Sequence, residues 1–265
     1  MMDLGGKVAL VTGGGRGIGK AAVSALVAKG CKVALVDRVA EVGEAAAAEI
    51  GGSCHFFQCS VDDPQQLEAT FAAVEAALGP LDIVYCNAGG GSPGDDGLAN
   101  WQRLLAVNLG HCIQGSQLAR DSFRASGKPG VIIHTASIVG LIAERERGHT
   151  VYAATKWGIV GFTRSLQRWR TEEPPIRMAA VCPALVLTEG VQAALDSGHL
   201  DLPEYDKGVP PSDIADAVLR MIAGDLSEEA VVAVGPSGAH GDPTYAEQSR
   251  TYGADGILFG NAPKL

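Results

Sequence analysis

A glycine-rich segment near the start of the chain limits its possible folds more than any other feature. Residues 12–19 read Thr-Gly-Gly-Gly-Arg-Gly-Ile-Gly and follow a short apolar run at residues 8–11. A helix-like stretch comes next at residues 20–27, and a second apolar run lies at residues 32–36. Short apolar runs bounded by glycine are typical of buried strands, so this region is predicted to form a strand, a tight turn, a helix and a second strand.

The spacing of the glycines also predicts a dinucleotide site. Gly13, Gly17 and Gly19 would let the backbone turn tightly and approach a pyrophosphate, whose charge would lie at a helix N-terminus. Asp37 ends the second predicted strand, at about the 20-residue distance where such sites hold a ribose 2′-hydroxyl. The alternative is a structural turn without a ligand.

A second group of residues, in the middle of the chain, predicts proton-transfer chemistry. Tyr152 and Lys156 are four positions apart, so on a helix they would share one face. A cation beside a phenol favours the phenolate, which suits a general base that works near neutral pH. Ser137 ends an apolar run fifteen residues before Tyr152.

These motifs resemble the short-chain dehydrogenase/reductase family, and the resemblance covers nearly all of the chain. Five matches occur at the family's spacing: the glycine segment, Asn87-Ala88-Gly89 after the apolar run at 81–86, Asn108, Ser137, and Tyr152 with Lys156. Within the family, residues 131–161 are similar to NAD-dependent prostaglandin dehydrogenase-like members. The resemblance implies hydride transfer between NAD and a secondary alcohol or ketone.

The resemblance implies a role for each matched residue. Tyr152 would be the general base or acid, and Lys156 would favour its phenolate and hold the nicotinamide ribose. Ser137 would donate a hydrogen bond to the substrate oxygen. Asn108 would anchor a water that leads protons away from Lys156, unless it is a solvated helix residue. The implied cofactor-binding residues are Gly13, Arg16, Gly17, Ile18, Gly19, Asp37, Val61, Asn87, Ala88, Gly89, Tyr152, Lys156, Pro183, Val186 and Thr188.

The chain departs from the family pattern at two positions. Ser60 stands before Val61, where the family usually has an acidic residue near the adenine. Ala184 follows Pro183, where the family usually has glycine near the nicotinamide. The alanine suggests a slightly constrained backbone and leaves the catalytic residues untouched.

The alternation of strand-like and helix-like segments predicts one α/β domain over residues 1–265. The expected architecture is a Rossmann-type doubly wound parallel sheet of about seven strands, with helices on both faces. Strands are predicted near residues 7–12, 32–37, 54–58, 82–86, 130–136, 177–182 and 230–234. Helices are predicted near residues 17–29, 39–50, 63–78, 98–126, 152–171 and 211–223.

The choice of cofactor depends on the end of the second strand. Asp37 would accept hydrogen bonds from the ribose diol of NAD and repel the 2′-phosphate of NADP, whereas Arg16 and Arg38 could pair with that phosphate. We favour NAD, because a carboxylate facing a phosphate costs more than a mobile arginine recovers. The alternatives are an NADPH-dependent ketoreductase of the same family and a non-catalytic dinucleotide-binding regulatory protein.

The substrate is less well defined by the sequence, and a small lipophilic alcohol or ketone is predicted. Arg145, Arg147 and His149 could meet a polar end of the substrate or form a solvated edge. The candidates for an apolar lining are Val139, Leu141, Ile142, Leu185 and Val191.

Composition and charge exclude several other classes of partner. The net charge of −9 argues against binding to nucleic acid or to an anionic membrane, and no apolar stretch approaches the roughly 20 residues of a membrane span. The six cysteines and six histidines lack metal-site spacing, so no metal is predicted and the thiols are expected to be reduced core residues.

Two further expectations concern assembly and location. Family members usually pair through the two long helices predicted here at 98–126 and 152–171, so a homodimer or homotetramer is expected. Trp157 lies on a stripe turned away from Lys156 and supports this, unless it packs within the chain. The predicted location is cytoplasmic. The last three residues, Pro-Lys-Leu, vary the peroxisomal Ser-Lys-Leu address, which makes a peroxisomal location the alternative.

Overall fold

Seven parallel strands form one sheet in a computed structural model of the protein. The structure describes residues 2–91, 97–141, 150–196, 208–224 and 231–235. The strands are β1 (Val8–Thr12), β2 (Lys32–Asp37), β3 (Cys54–Gln58), β4 (Ile83–Cys86), β5 (Gly130–Thr135), β6 (Ile176–Pro183) and β7 (Val231–Val234). Their order in the sheet is β3-β2-β1-β4-β5-β6-β7. The predicted doubly wound α/β sheet is confirmed.

The order of the strands reverses between β1 and β4. From β1 the chain builds outward to β3, and it then returns to place β4 on the other side of β1, with Leu10 opposite Val84. In open parallel sheets, ligands bind outside the carboxyl ends of the strands at such a reversal. The topology therefore locates the site near the turns that follow β1 and β4.

Both faces of the sheet are buried, as the continuous apolar runs of its strands require. On β1, Val8 and Leu10 pack with one core cluster, whereas Ala9 and Val11 pack with the other. The helices of the described residues are α1 (Gly17–Ala28), α2 (Ala40–Ile50), α3 (Pro64–Leu78), α4 (Trp101–Leu105), α5 (His111–Ser126), α6 (Thr150–Ser165), α7 (Glu189–Asp196) and α8 (Pro211–Ala223). The first cluster contains side chains from α3, α5 and α6, and the second contains side chains from α1, α2 and α8.

The predicted helix at 98–126 differs from the structure, which divides it into several parts. A 3₁₀ turn at Leu98–Asn100 leads into α4, and a π-helical segment at Ala106–Gly110 separates α4 from α5. The imidazole of His111 bonds the carbonyl of Val107 within this wide turn. A π-helical turn bonds residues five apart in place of four, and no residue pattern in the sequence indicated where that change occurs.

Two other boundaries differ from the predictions. The helix predicted at 152–171 begins earlier, and α6 gives way to a 3₁₀ segment at Leu166–Thr171. Helix α7 was not predicted. Residues 236–265 lie outside the described residues, so a single domain over 1–265 stays a prediction.

Candidate active site

A cleft of about 700 Å³ opens along the carboxyl ends of the strands. Its walls extend from Tyr152 and Lys156 on α6 to Asp37 at the end of β2. The structure brings together thirteen of the sequence-predicted residues as its lining: Gly13, Arg16, Gly17, Ile18, Asp37, Val61, Asn87, Ala88, Gly89, Asn108, Tyr152, Lys156 and Thr188.

Lys156 is the most unusual side chain of the cleft, because it is a lysine with only 2% of its surface exposed. Its ammonium donates a hydrogen bond to the carbonyl of Thr135, with 2.8 Å between Nζ and O. The same nitrogen lies 5.3 Å from the centre of the Tyr152 ring, so the two residues share one face of α6. A buried ammonium is costly, and the Thr135 carbonyl and the aromatic face offset part of that cost.

Asn108 lies in the π-helical segment and is fully buried, which excludes the alternative of a solvated helix residue. Its Oδ1 accepts from the amide of Gly90 at 3.0 Å, and its Nδ2 donates to the carbonyl of Gly90 and to Thr155 Oγ1. A side chain on Gly89 would place its Cβ 3.2 Å from Asn108 Oδ1 and 3.4 Å from Lys156 Nζ. Asn108 and Lys156 therefore flank the same short stretch of backbone.

Four predicted residues are buried and are not part of the cleft lining: Gly19, Ser137, Pro183 and Val186. Ser137 is 8% exposed, and its hydroxyl lies 3.5 Å from the carbonyl of Pro183, at the long limit of a hydrogen bond. Because the contact is weak, a small rotation of the hydroxyl would allow it to bond another acceptor.

The glycine turn fits the close approach of a phosphate. Gly13 and Gly17 have φ angles of +64° and +51°, a backbone conformation that L side chains rarely adopt. A Cβ on Gly19 would lie 2.0 Å from the carbonyl oxygen of Gly13, which no side chain could tolerate. Helix α1 begins at Gly17, and Arg16 makes no side-chain cap to its amides. The first turn of α1 thus presents uncapped N–H groups to the cleft, as anion sites at helix N-termini do.

Thr12 joins this turn to the motif after β4, a role that the sequence prediction missed. Its Oγ1 accepts from the amides of Asn87 at 2.9 Å and Ala88 at 3.0 Å, while Asn87 Nδ2 donates to the Thr12 carbonyl. The position of Thr12 at the end of β1, directly before the glycines, could have indicated its role. The role of Thr135 was also missed, because no sequence signal indicates a backbone carbonyl.

Asp37 lies at the other end of the cleft. One carboxylate oxygen accepts from the amide of Gly15 at 3.1 Å, and the other accepts from the amide of Val39 at 3.1 Å. A Cβ on Gly15 would lie 2.9 Å from Asp37 Oδ2, so only glycine allows this contact. The two amides fix the orientation of the carboxylate and leave lone pairs free for a ligand.

The substrate candidates are only partly described. Val139 and Leu141 are buried, at 9% and 6% exposed, and do not line the cleft, whereas Leu185 and Val191 are half-buried. Ile142, Arg145, Arg147 and His149 lie outside the described residues.

Comparison with known proteins identifies the family. The family described as short chain dehydrogenase matches residues 7–197 of the chain. The chain belongs to the short-chain dehydrogenase/reductase family. The family predicted from the sequence motifs is thereby confirmed. The protein is an oxidoreductase of the kind that uses a nicotinamide dinucleotide.

Named relatives within this family act on different substrates. The chain is 36% identical over 252 residues to 15-hydroxyprostaglandin dehydrogenase [NAD(+)] of Homo sapiens, covering 88% of this chain and 92% of the relative. It is 37% identical over 206 residues to D-threitol dehydrogenase of Mycolicibacterium smegmatis, covering 75% and 77%. Among solved structures, levodione reductase superposes with a TM-score of 0.76 at 25% identity, covering 87% of this chain and 96% of the other.

The other sequence expectations concern cysteines, metals and membranes. Five of the six cysteines are buried, and burial raises the pKa of the Cys31 and Cys54 thiols to about 11. Within the described ranges, no group of three or more His, Cys, Asp or Glu side chains could hold a metal ion. In the same part of the chain, every helix is too short or too polar to cross a membrane.

Proposed function

We propose that this oxidoreductase transfers a hydride between NAD and a secondary alcohol, with Tyr152 as general base and as general acid in the reverse direction. The observation that carries the proposal is the buried Lys156 ammonium, 5.3 Å from the centre of the Tyr152 ring, in a cleft that also contains Asp37. A charge that is costly to bury is expected where the chemistry requires it.

The side chains suit the loss of a proton from an alcohol. When bound, the nicotinamide would accept the hydride from the carbinol carbon. The Tyr152 oxygen would take the hydroxyl proton, with the Lys156 ammonium 5.3 Å from the centre of its ring. The Ser137 hydroxyl oxygen accepts from the amide of Val139 at 3.4 Å and lies 3.5 Å from the carbonyl of Pro183. The hydroxyl proton would turn from Pro183 to donate a hydrogen bond to the substrate oxygen. Asn108 would fix the cleft wall beside Lys156 and anchor the water that carries the proton onward.

The dinucleotide would span the carboxyl ends of the strands. Lys156 would hold the nicotinamide ribose near β5, and the uncapped amides of α1 would bind the pyrophosphate beside Gly13, Gly17 and Ile18. Asp37 would accept hydrogen bonds from the adenosine ribose near the end of β2. Arg16, Val61, Asn87, Ala88, Gly89 and Thr188 would complete the lining, with Gly19, Pro183 and Val186 supporting it from behind.

NAD rather than NADP is supported by the fixed carboxylate of Asp37 and by the NAD(+)-dependent relatives. The alternative, an NADPH-dependent ketoreductase, is favoured by Arg16 and Arg38, which are exposed and line the same end of the cleft. A carboxylate held by two backbone amides cannot swing away from a 2′-phosphate, whereas exposed arginines are free to move toward solvent.

A panel of alcohols tests the reaction and the substrate class. We expect the highest kcat/KM on secondary alcohols with long apolar chains, and lower values on polyols such as D-threitol, measured by NADH absorbance. The apolar alcohols correspond to 15-hydroxyprostaglandin dehydrogenase [NAD(+)], and the polyols correspond to D-threitol dehydrogenase. Turnover confined to polyols would contradict the lipophilic substrate. Dinucleotide binding without turnover on any alcohol or ketone would instead favour the non-catalytic regulatory protein.

We further propose a homodimer or homotetramer formed through α5 and α6. Trp157 on α6 is 42% exposed and Ile113 on α5 is 43% exposed, so neither is fully packed within the chain. Both helices pack in the same core cluster on one face of the sheet, and large apolar side chains left in water on such a face are typical of protein interfaces.

Light scattering tests the proposed assembly. We expect a mass of two or four chains of 27.3 kDa at micromolar concentration, and a shift toward the single-chain mass in Trp157→Asp, which would place a charge in the interface. A single-chain mass for the wild-type protein across micromolar concentrations would contradict the oligomer.

The location in the cell also stays a prediction. We retain the cytoplasmic proposal with the peroxisomal alternative, whose motif at residues 263–265 lies outside the described residues.

A further inference from the structure

A carboxylate stands at the far end of the cleft, beyond Asp37. Asp62 lies in the loop between β3 and α3 and lines the cleft together with Ser60, Val61 and Arg103. It is one of the two carboxylates in the lining at this end, and Asp37 is the other.

The order of the strands indicates which part of a dinucleotide would reach Asp62. Along the sheet, Lys156 contacts the end of β5, the glycine turn follows β1, Asp37 ends β2 and Asp62 follows β3. Each step between neighbouring strands is about 4.8 Å. A dinucleotide with one ribose at Lys156 and the other at Asp37 must therefore extend its adenine over the end of β3.

The Asp62 carboxylate is held in a defined orientation from two sides. The hydroxyl of Ser60 donates a hydrogen bond to Asp62 Oδ1, and the amide of Ser60 is itself held by Gln66 Oε1 at 3.1 Å. On the other side, Arg103 Nε lies 3.4 Å from Asp62 Oδ2. The bond from Ser60 is the largest effect that holds the pKa of Asp62 below its ordinary value, and Arg103 acts in the same direction.

These contacts leave acceptor capacity directed at a ligand. An ionised carboxylate has about four lone-pair sites, of which Ser60, Arg103 and the backbone of Asp62 itself use up to three. Asp62 is about a quarter exposed, so the remaining acceptor capacity can be reached from the cleft. The exocyclic amine is the hydrogen-bond donor on the adenine ring, and a carboxylate is a strong acceptor for it.

We propose that Asp62, oriented by Ser60, selects the adenine base of the dinucleotide by accepting a hydrogen bond from its exocyclic amine. This inference rests on the proposed dinucleotide-dependent function and adds the residue that reads the base. It also accounts for Ser60 at a position that is usually acidic in the family, because the carboxylate is supplied from two residues farther along the chain.

The hypoxanthine analogue of NADH tests the proposal, because it replaces the exocyclic amine by a carbonyl oxygen. Equilibrium binding is followed by the fluorescence of the reduced nicotinamide, so no substrate is needed. The wild-type protein is expected to bind NADH at least about tenfold more tightly than the analogue, the effect of one hydrogen bond to a charged group. In Asp62→Ala, this ratio is expected to fall to within about twofold of one.

Further variants separate the base contact from a general loss of structure. Asp62→Asn is expected to give a ratio near one while keeping tight binding, because an amide can accept from the amine or donate to the carbonyl. Ser60→Ala is expected to give an intermediate ratio. Asp216→Ala, which removes an exposed carboxylate on α8, is the matched control and is expected to keep the wild-type ratio.

The outcomes distinguish this inference from the proposed function. A wild-type ratio near one, or a ratio that survives in Asp62→Ala, overturns the role of Asp62 and leaves the oxidoreductase proposal intact. Failure of the wild-type protein to bind either dinucleotide overturns both.

Discussion

Replacing Tyr152 by phenylalanine is expected to lower kcat about 10²–10⁴-fold at neutral pH, the usual contribution of a general base. The substitution deletes one hydroxyl and keeps the ring that faces the Lys156 ammonium, 5.3 Å from the ring centre. Packing and the Lys156 contact with Thr135 should therefore survive, and NADH affinity should stay within a few-fold of wild type. The measurements are NADH formation with the best alcohol of the panel and NADH binding by fluorescence.

The matched control is Tyr85→Phe, which deletes another phenol hydroxyl from the same protein. Tyr85 is fully buried, and its oxygen accepts a hydrogen bond from Thr135 Oγ1 at 2.7 Å. Thr135 Oγ1 also lies 3.1 Å from Asn87 Oδ1, so it keeps an acceptor after the substitution. This variant should lose some stability but keep kcat within a few-fold. If Tyr152→Phe retained more than a tenth of the wild-type rate, Tyr152 would not be the base.

Replacing Asp37 by alanine is expected to shift the preference for NAD over NADP by about 100-fold toward NADP. Hydrogen bonds to a charged group contribute about 1.5–3 kcal/mol, so their loss weakens NAD binding by roughly 10- to 100-fold. The substitution also removes the repulsion of the 2′-phosphate, and Arg16 and Arg38 at the same end of the cleft could then pair with it.

The ratio of kcat/KM for the two cofactors measures this shift. Glu41→Ala is the matched control, because Glu41 is an exposed carboxylate in the first turn of α2 and does not line the cleft. It changes the net charge by the same amount and should leave the ratio unchanged. A wild-type enzyme that already prefers NADP would contradict the role of Asp37, as would an Asp37→Ala variant with an unchanged ratio.

The elements predicted best are those whose pattern is local. All seven strands lie close to their predicted positions, because each is a short apolar run bounded by turns. Helix α3 begins at Pro64 after Asp63, which accepts from the amides of Gln65 and Gln66, and this capping pattern can be read in the sequence. The short helix α7 and the π-helical segment at Ala106–Gly110 had no comparable signal.

The site residues also divide into those that a local sequence pattern predicts and those whose partners come from distant segments. Tyr152 and Lys156 could be paired from the sequence, because a spacing of four residues puts both side chains on one face of a helix. The partners of Asn108 could not be predicted, because Gly90 and Thr155 come from other segments of the chain. The same holds for the carbonyl of Thr135 beneath Lys156, since backbone groups have no sequence signature.

The sequence by itself determined the sheet, the glycine turn and the types of chemical group that converge on the cleft. These features depend on backbone conformation and helical periodicity, which act over a few residues. Only the tertiary structure decided how those groups are held: Lys156 buried against Thr135, Asn108 locked to Gly90, and Asp62 fixed between Ser60 and Arg103. Except for the bond from Ser60, these contacts join residues far apart in the chain, so they exist only once the sheet brings its strand ends together.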